Sequence, residues 1–143
     1  KEKKLKRKNI FLKKLTNDHK KLPHKSNFFD NIVCTSVLSL LGRKENIKFL
    51  IEEFHRILKP HGKLIVDVNG PKSSFKKEGR LISNDAYLTY INKKSEKVLT
   101  YCPKNLKIFS KLFNKFYIDE LGEIKFKYFS FSGHEFIACL RKK

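Results

Sequence analysis

The segment from Phe28 to Asn69 restricts the fold of this chain more than any other. Residues 31–34 and 63–68 are short apolar runs of the strand type, and residues 45–58 between them have the pattern of an amphipathic helix. The apolar residues of that helix recur at the i, i+3, i+4 spacing that lines one helix face. They are Ile47, Leu50, Ile51, Phe54 and Leu58. Two strands joined through a helix form a parallel pair with a right-handed crossover, so the segment predicts an α/β fold.

The sequence also marks the end of this helix and the start of the strand that follows. Pro60 ends the helix, because proline lacks a backbone N–H and clashes with the preceding turn. We expect Gly62 to adopt the positive φ that turns the chain into the strand. Leu64, Ile65 and Val66 are contiguous apolar residues. This pattern is typical of a parallel strand that is covered on both faces.

The remaining secondary-structure signals are shorter. The predicted elements are a strand at 9–15, a helical turn at 36–41 closed by Gly42, a helix at 104–116 and a hairpin of 124–131 with 134–141. The inward face of the 104–116 helix would hold Leu106, Phe109, Leu112 and Phe113. The tight-turn dipeptide Ser132-Gly133 is expected to join the strands of the hairpin. Residues 70–103 are polar and predict loop and short helix, with Tyr87 and Tyr90 as candidate pocket aromatics.

The net charge of +19, from 33 Lys and Arg against 14 Asp and Glu, has two interpretations. A positive surface attracts nucleic acid and other polyanions. The alternative is a compositional bias, because the basic residues are mostly Lys and are spread along the chain, whereas phosphate and base recognition relies on Arg. We favour the second interpretation and keep nucleic acid as a partner that the charge allows.

Length and cysteine content narrow the class of protein. A chain of 143 residues is enough for one domain with its own core. Cys34, Cys102 and Cys139 form neither a disulfide framework nor a zinc-binding pattern, which fits a reducing, cytoplasmic compartment. No apolar run approaches the roughly 18 residues of a membrane span. We therefore expect a soluble protein with no metal site.

Two residue patterns in the central segment resemble those of a known family. Phe29-Asp30-Asn31-Ile32-Val33 is similar to an FDxV pattern, and Arg56-Ile57-Leu58-Lys59-Pro60-His61-Gly62 is similar to an RxLKPGG pattern. Both patterns occur in the class I S-adenosylmethionine-dependent methyltransferases, especially the type 11 group. There the first opens the fourth strand and the second precedes the fifth.

The resemblance implies an α/β, Rossmann-like methyltransferase sheet of parallel strands with a C-terminal antiparallel hairpin, in the strand order 3-2-1-4-5-7-6. Residues 9–15, 31–34 and 63–68 would be strands three, four and five, and the final hairpin strands six and seven. Strands one and two and their Gly-rich loop have no counterpart. We therefore expect an incomplete sheet in a single N-terminally truncated domain, residues 1–143. Residues 1–20 would then pack poorly or pair with strand four.

The resemblance also implies residues that hold the cofactor. The run from Asp18 to Pro23 resembles the family's DxxxLP pattern. In that pattern the carboxylate accepts a hydrogen bond from the adenine amino group, and the next residue lies along the ring. Asp18 would take the first role and His19 the second; a hydrogen bond to a charged group contributes roughly 1.5–3 kcal/mol. The alternative is a loop aspartate that caps its own turn.

The carboxyl ends of strands four and five supply the other candidates, because ligands of open α/β sheets bind there. In the family this edge contacts the cofactor and faces the substrate. The residues at these positions are Cys34, Thr35 and Ser36 after strand four, and Asp67, Asn69 and Gly70 after strand five. Cys34 is equally well explained as a small buried strand residue, and the second group as a plain turn. Many members carry a histidine near position 39 or 40, where this chain has Ser39 and Leu40, so no catalytic residue is assigned.

The resemblance finally implies an enzyme that uses S-adenosyl-L-methionine and works by positioning donor and acceptor and excluding water. The Asn/Asp-Pro-Pro-Tyr pattern of enzymes that methylate adenine or glutamine amides is absent after strand four. We expect a small-molecule, lipid or sugar acceptor, with tRNA or another nucleic acid as an alternative. A non-catalytic binding or scaffold domain with the methyltransferase fold is a further alternative. This chain alone is expected to bind the cofactor poorly and to be inactive.

Overall fold

A computed structural model describes residues 21–91, 96–129 and 131–143. Its strands are β1 Phe29–Cys34, β2 Leu58–Asn69, β3 Arg80–Ser83, β4 Ala86–Ile91, β5 Glu96–Tyr101, β6 Phe116–Tyr128 and β7 Phe131–Lys142. Its helices are a 3₁₀ turn Leu38–Leu41, α1 Lys44–Ile57, α2 Ser74–Lys77 and α3 Leu106–Ser110. The strand predicted at 9–15 and the candidates Asp18 and His19 lie outside the described residues.

The larger sheet has four strands in the order β1-β2-β7-β6. β1 pairs in parallel with β2, and Ile32 lies opposite Leu64 in that pair. β7 pairs antiparallel with both β2 and β6. The predicted parallel pair is confirmed, and the order agrees with strands 4-5-7-6 of the family. Within the described residues β1 forms one edge of this sheet.

Helix α1 connects β1 to β2 and agrees with the predicted helix within one residue at each end. It buries Ile47, Ile51, Phe54 and Ile57 against the sheet. The prediction for the following turn was wrong, because His61 and not Gly62 has a positive φ, of 62°. Glycine is required at position 62 for a different reason: a Cβ there would lie 2.9 Å from the carbonyl oxygens of Asp30 and Lys59.

One hydrophobic core lies between the larger sheet and the helices α1 and α3. Its fully buried members include Tyr101, Phe109, Phe113, Leu38, Ile47 and Leu64. The opposite face of the sheet is open, because no element in the described part of the chain packs on it. Val33 is 66% exposed there and Ile65 is 36% exposed. The expectation that β2 is covered on both faces is therefore wrong for the described residues: α1 and α3 share one core cluster and lie on the same side.

Residues 70–103 differ most from the prediction of loop and short helix. Besides α2, the described part of this segment contains an antiparallel sheet of three strands, β3-β4-β5. Tyr87 is buried and Tyr90 is 47% exposed. Gly42, at the end of the 3₁₀ turn, has φ 67°, and a Cβ there would lie 2.7 Å from the Leu99 carbonyl oxygen. Strand β5 of the small sheet therefore packs against the end of the 3₁₀ turn, at a position that favours glycine.

The C-terminal third confirms the buried residues of the predicted helix but not its length. Helix α3 is only five residues long and is capped by Asn105, whose side chain accepts a hydrogen bond from the Ile108 N–H. Phe109, Leu112 and Phe113 are nevertheless buried as predicted. The helix ends early because Phe116 already pairs with β7 as the first residue of β6.

The final hairpin is present, but its turn is not at Ser132-Gly133. Tyr128 pairs with Phe131, so the chain reverses between those two residues. Gly133 lies inside β7 opposite Phe126, where a Cβ would overlap the phenyl ring. The glycine thus makes room for an aromatic side chain and does not form the turn.

Candidate functional site

A cavity of about 330 Å³ opens where β1 and β2 end. The two strands are parallel, so their carboxyl ends meet at one edge of the sheet, where ligands of open α/β sheets bind. The cavity walls come from the segment after β1, from the end of β2, from α2 and from the β6–β7 hairpin. The residues that line the cavity are Ser36, Ser39, Leu40, Asp67, Asn69, Phe75, Phe126, Gly133 and Glu135.

Asp67 fixes the backbone that follows β1. Its Oδ1 accepts a hydrogen bond of 2.7 Å from the Ser36 N–H. Ser36 has a φ of 58°, a left-handed conformation that a residue other than glycine adopts only when its surroundings hold it. The Asp67 side chain is 94% buried, since its exposed fraction is 6%. Burial raises the pKa of this carboxyl, and the bond from Ser36 opposes that rise.

Ser39 joins the 3₁₀ turn to the end of β2. Its Oγ accepts a hydrogen bond of 2.6 Å from the Asn69 N–H, and its side chain is buried. The two loops that flank the cavity are therefore tied together by Asp67 on one side and Ser39 on the other. This cross-bracing holds the cavity open without a ligand.

Glu135 brings a second carboxyl group to the cavity. It lies on β7 directly opposite Asn69 of β2. Burial raises its pKa, and the negative charge of Asp67 raises it further. In the part of the chain that the structure describes, neither carboxylate forms an ion pair, and no Lys or Arg lines the cavity. The cavity is a negative region in a strongly basic chain.

Phe75 and Phe126 form aromatic walls. Phe75 belongs to α2, which is held against β7 by Ser74: its Oγ donates to the Ser132 carbonyl oxygen at 3.1 Å and accepts from the Ser132 N–H at 3.0 Å. Phe126 lies across Gly133. Both rings are therefore positioned by contacts of the neighbouring backbone with β7.

His134 supports the loop after β2. Its Nδ1 accepts a hydrogen bond of 2.9 Å from the Lys72 N–H, so the ring proton belongs on Nε2, which faces Glu123 Oε1 at 2.9 Å. Burial lowers the pKa of this imidazole despite the nearby carboxylate. A Cβ on Gly70 would lie 2.6 Å from the ring. Gly70, predicted as a pocket or turn residue, is thus required for packing against this neutral histidine.

A polar clamp attaches the segment before β1 to α1. The Arg56 guanidinium donates to both carboxylate oxygens of Glu53 at 2.7 Å, and to the carbonyl oxygens of His24 at 2.8 Å and Leu22 at 3.0 Å. Glu53 Oε2 also accepts from the Leu22 N–H at 2.6 Å. Leu22 and Pro23 are the last two residues of the DxxxLP-like pattern, so the clamp fixes the position of that end of it.

The predicted site residues fall into three groups. Asp67 and Asn69 line the cavity together with Ser36. Cys34 is buried at the end of β1, and burial together with the negative charge of Asp67 raises its thiol pKa to about 11. Cys34 and the exposed Thr35 do not line the cavity, so their contact with a cofactor stays a prediction, as it does for Asp18 and His19. Sequence reasoning missed Ser39, Phe75, Phe126 and Glu135 as cavity residues.

Comparison with known proteins agrees with this architecture. A family model described as "Methyltransferase domain" matches residues 1–66. The described fold matches solved methyltransferase structures over more than four fifths of the chain. The chain carries the class I methyltransferase fold. The resemblance to class I S-adenosylmethionine-dependent methyltransferases is confirmed, and the α/β fold class with it.

Three solved structures illustrate the likeness. A SAM-dependent methyltransferase from Methanosarcina mazei is 18% identical, with a TM-score of 0.71 over 85% of this chain and 62% of its own. One from Clostridium acetobutylicum is 14% identical, with a TM-score of 0.58, covering 85% of this chain and 60% of its own. The 1,6-didemethyltoxoflavin-N1-methyltransferase of Burkholderia thailandensis, bound to its substrate and S-adenosylhomocysteine, is 13% identical, with a TM-score of 0.54, covering 82% and 45%.

These comparisons bear on the fold and not on the methyl acceptor. At such identities the likeness shows the fold alone, and the chain spans less than two thirds of the length of the structures named. No curated protein matches the chain. None of the helices among the described residues is long and apolar enough to cross a membrane.

Proposed function

We propose that this chain belongs to an S-adenosyl-L-methionine-dependent methyltransferase that acts on a small molecule. The observation that carries the proposal is the cavity at the carboxyl ends of β1 and β2, in a sheet whose strand order agrees with that of the methyltransferase family. The chain would supply the acceptor side of the catalytic domain, as part of a single unit whose remaining strands hold the nucleoside. We place the reaction in the cytoplasm, where the unpaired cysteines would stay reduced.

The cofactor fits this edge of the sheet. When bound, S-adenosyl-L-methionine supplies a methyl group already activated by its sulfonium centre. Thr35 and Ser36 directly follow β1, and the left-handed Ser36 backbone is held by Asp67. Asp18 and His19 would hold the adenine, as the DxxxLP-like pattern implies. The work of this chain is then to orient the acceptor and exclude water, an effect worth roughly 7–11 kcal/mol in well-oriented reactions.

The cavity favours a small acceptor over a nucleic acid. Its volume of about 330 Å³ suits a compact molecule. Asp67 and Glu135 would repel the phosphates of a nucleic acid at the very point where the acceptor enters. Among the described residues no Lys or Arg lines this cavity, so the positive charge that favours the nucleic-acid alternative does not come from its walls. The Burkholderia enzyme, whose structure holds 1,6-didemethyltoxoflavin, is a small-molecule precedent with this fold.

A cofactor-binding and product assay tests the proposal. The gene would be expressed from its complete coding sequence, and release of S-adenosylhomocysteine would be measured with pools of small-molecule, lipid and sugar acceptors and with tRNA. We expect micromolar binding of S-adenosyl-L-methionine and turnover with one small-molecule pool. The 143-residue chain serves as the comparison, and we expect it to bind the cofactor poorly. Absence of cofactor binding by the complete product would support the scaffold alternative, and turnover with tRNA alone would support the nucleic-acid alternative.

A further inference from the structure

The carboxyl groups of the cavity are unusual for this chain. Lys and Arg outnumber Asp and Glu by 33 to 14, yet the cavity walls contain two acidic residues and no basic one. Among the described residues the Glu135 carboxylate has no hydrogen-bond partner, and Asp67 has one, the Ser36 N–H, on a single oxygen. Among the described residues no donor reaches the second oxygen of Asp67, which stays accessible from the cavity.

The negative charge of one carboxylate makes ionisation of the other less favourable. Burial is the largest cause of the raised pKa of both groups, and the negative charge of Asp67 adds to the effect at Glu135. A buried charge without a counterion is costly, and a cation placed between two carboxylates removes much of that cost. The chain supplies no such cation from the residues that the structure describes. A ligand can supply it.

The aromatic walls select the same kind of ligand. Phe75 and Phe126 flank the cavity that Asp67 and Glu135 line. Phenyl faces attract cations and pack well against methylene groups or flat rings. Carboxylates with aromatic rings suit an organic ammonium ion better than a metal ion, which would need more oxygen ligands. In the described part of the chain no group of three His, Cys, Asp or Glu is arranged to hold a metal.

We propose that the methyl acceptor carries a basic nitrogen, protonated at neutral pH, that Asp67 and Glu135 bind between Phe75 and Phe126. This inference rests on the proposed function in calling the ligand the acceptor. The cation itself is assigned by the charge of the cavity. Because the rest of the chain is positive, it repels cations elsewhere, and the cavity is the local exception. The acceptor class narrows from small molecules in general to amines.

Three probes of one shape test the charge preference directly. Benzylamine, benzyl alcohol and phenylacetate carry the same ring with a positive, a neutral and a negative group at neutral pH. Each would be titrated into the 143-residue chain, and the amide NMR signals of Ser36 and Asn69 would report binding at the cavity. We expect the amine to bind at least about tenfold more tightly than the alcohol, and phenylacetate not to bind. Equal binding of amine and alcohol, or no binding of the amine, overturns the inference.

Variants identify the groups responsible. Asp67→Asn and Glu135→Gln keep the shape of each side chain and remove its charge, so each should lower the amine preference and the double variant should abolish it. Asp30→Asn is the matched control, because Asp30 is an exposed carboxylate paired with Lys59 at 2.7 Å, away from the cavity. It should leave the preference unchanged. If a variant does not fold, the probe series on the unaltered chain still decides the matter.

Competition separates this inference from the proposed function. If S-adenosylhomocysteine displaces benzylamine from the complete protein, the carboxylates bind the amino group of the cofactor itself, and the assignment to the acceptor is wrong. If amine and cofactor bind together, the assignment holds. An amine preference without any cofactor binding would leave a cation site but contradict the methyltransferase function. Methyl transfer to neutral acceptors alone would support the methyltransferase function but contradict the assignment of a cationic acceptor.

Discussion

The negative charge of Asp67 lowers the stability of the fold, and we propose that it binds a ligand in the cavity. The hydrogen bond of Asp67 to the Ser36 N–H holds a left-handed backbone beside the site, while burial of the side chain disfavours its ionised form. Residues under such opposing demands are commonly found at functional sites. Replacing such a residue by a neutral side chain of the same shape is therefore expected to raise the free energy of unfolding while it weakens ligand binding.

Asp67→Asn should stabilise the chain at neutral pH. The folded-state pKa of Asp67 lies above its unfolded value, so the wild-type chain loses stability as the pH rises from the unfolded value through the folded one. The asparagine variant has no such loss, since it resembles the protonated acid at every pH. Urea unfolding should show a more stable variant at pH 7, with the difference shrinking as the pH falls toward about 4. A variant less stable than wild type at pH 7 would contradict this account.

Gly133→Ala should displace the Phe126 ring. A Cβ at this position overlaps the ring, and overpacking of this kind typically costs about 1–3 kcal/mol. We expect a lower unfolding midpoint and changed ring signals of Phe126 in NMR spectra. Gly122→Ala is the control in the same hairpin, where a Cβ would lie 3.3 Å from Ile137 Cγ2. It should cost clearly less; equal losses would mean that the ring contact at Gly133 is unimportant.

At the scale of elements, one ion pair with unusually many hydrogen bonds helps to attach the segment before β1 to α1. Glu53 and Arg56 are one helical turn apart, with side-chain exposures of 10% and 20%. Arg56 satisfies two backbone carbonyl groups as well as the carboxylate. Unlike most surface ion pairs, this one holds a separate segment of chain.

Glu53→Gln should weaken that attachment by about 1–3 kcal/mol at neutral pH, the range for hydrogen bonds to charged groups. The hydrogen bond from Arg56 is the main reason that the pKa of Glu53 is lowered. Its stabilisation is therefore complete above the unfolded pKa and is lost as the pH falls through the folded one. Glu52→Gln is the control: Glu52 is 62% exposed, and its pair with Lys115 at 3.3 Å should contribute little. Equal effects in urea unfolding would contradict the clamp.

The elements differ in how well the sequence predicted them, and each difference has a physical cause. Helix α1 was predicted because its apolar residues repeat with the helical period and face one sheet. Residues 80–101 were not recognised as strands, because charged and polar residues interrupt their alternation and only Tyr87, Thr89 and a few neighbours face inward. Helix α3 is shorter than its apolar pattern, since pairing of Phe116 with β7 overrides local helix preference.

The site was predictable only in part for a related reason. Asp67 and Asn69 follow from topology, because both lie at the end of a strand in a parallel pair. Phe75, Phe126 and Glu135 reach the cavity from α2, β6 and β7. The positions of these elements depend on contacts between distant parts of the sequence; Glu135, for example, pairs with Asn69, more than 60 residues earlier. No local pattern marks such residues. The acidic character of the cavity walls could therefore be recognised only once the fold was known.

At the scale of the whole molecule, the open face of the larger sheet is its least satisfied surface. Val33, Ile65 and Ile124 are exposed there by 66%, 36% and 43%. Exposed apolar surface of this kind, next to an edge strand, promotes association. In the described part of the chain no element covers it.

The 143-residue chain should therefore self-associate as its concentration rises, and Val33→Lys should reduce that association. Sedimentation velocity over a concentration series would measure it. Leu81→Lys is the matched control, since Leu81 is 59% exposed on β3 of the small sheet and lies away from the open face. A wild-type chain that stays monomeric at every concentration would show that this face is covered in solution.

Strand β7 enters the larger sheet between β2 and β6, although the ribosome makes it after both. Until it is synthesised, each of those neighbours has a row of backbone amides and carbonyls with no partner on that side, and β6 has no place in the sheet at all. Assembly of the nascent sheet therefore requires β7. A chain that ends before Phe131 would expose the unpaired edges of both β2 and β6, which can pair with other chains.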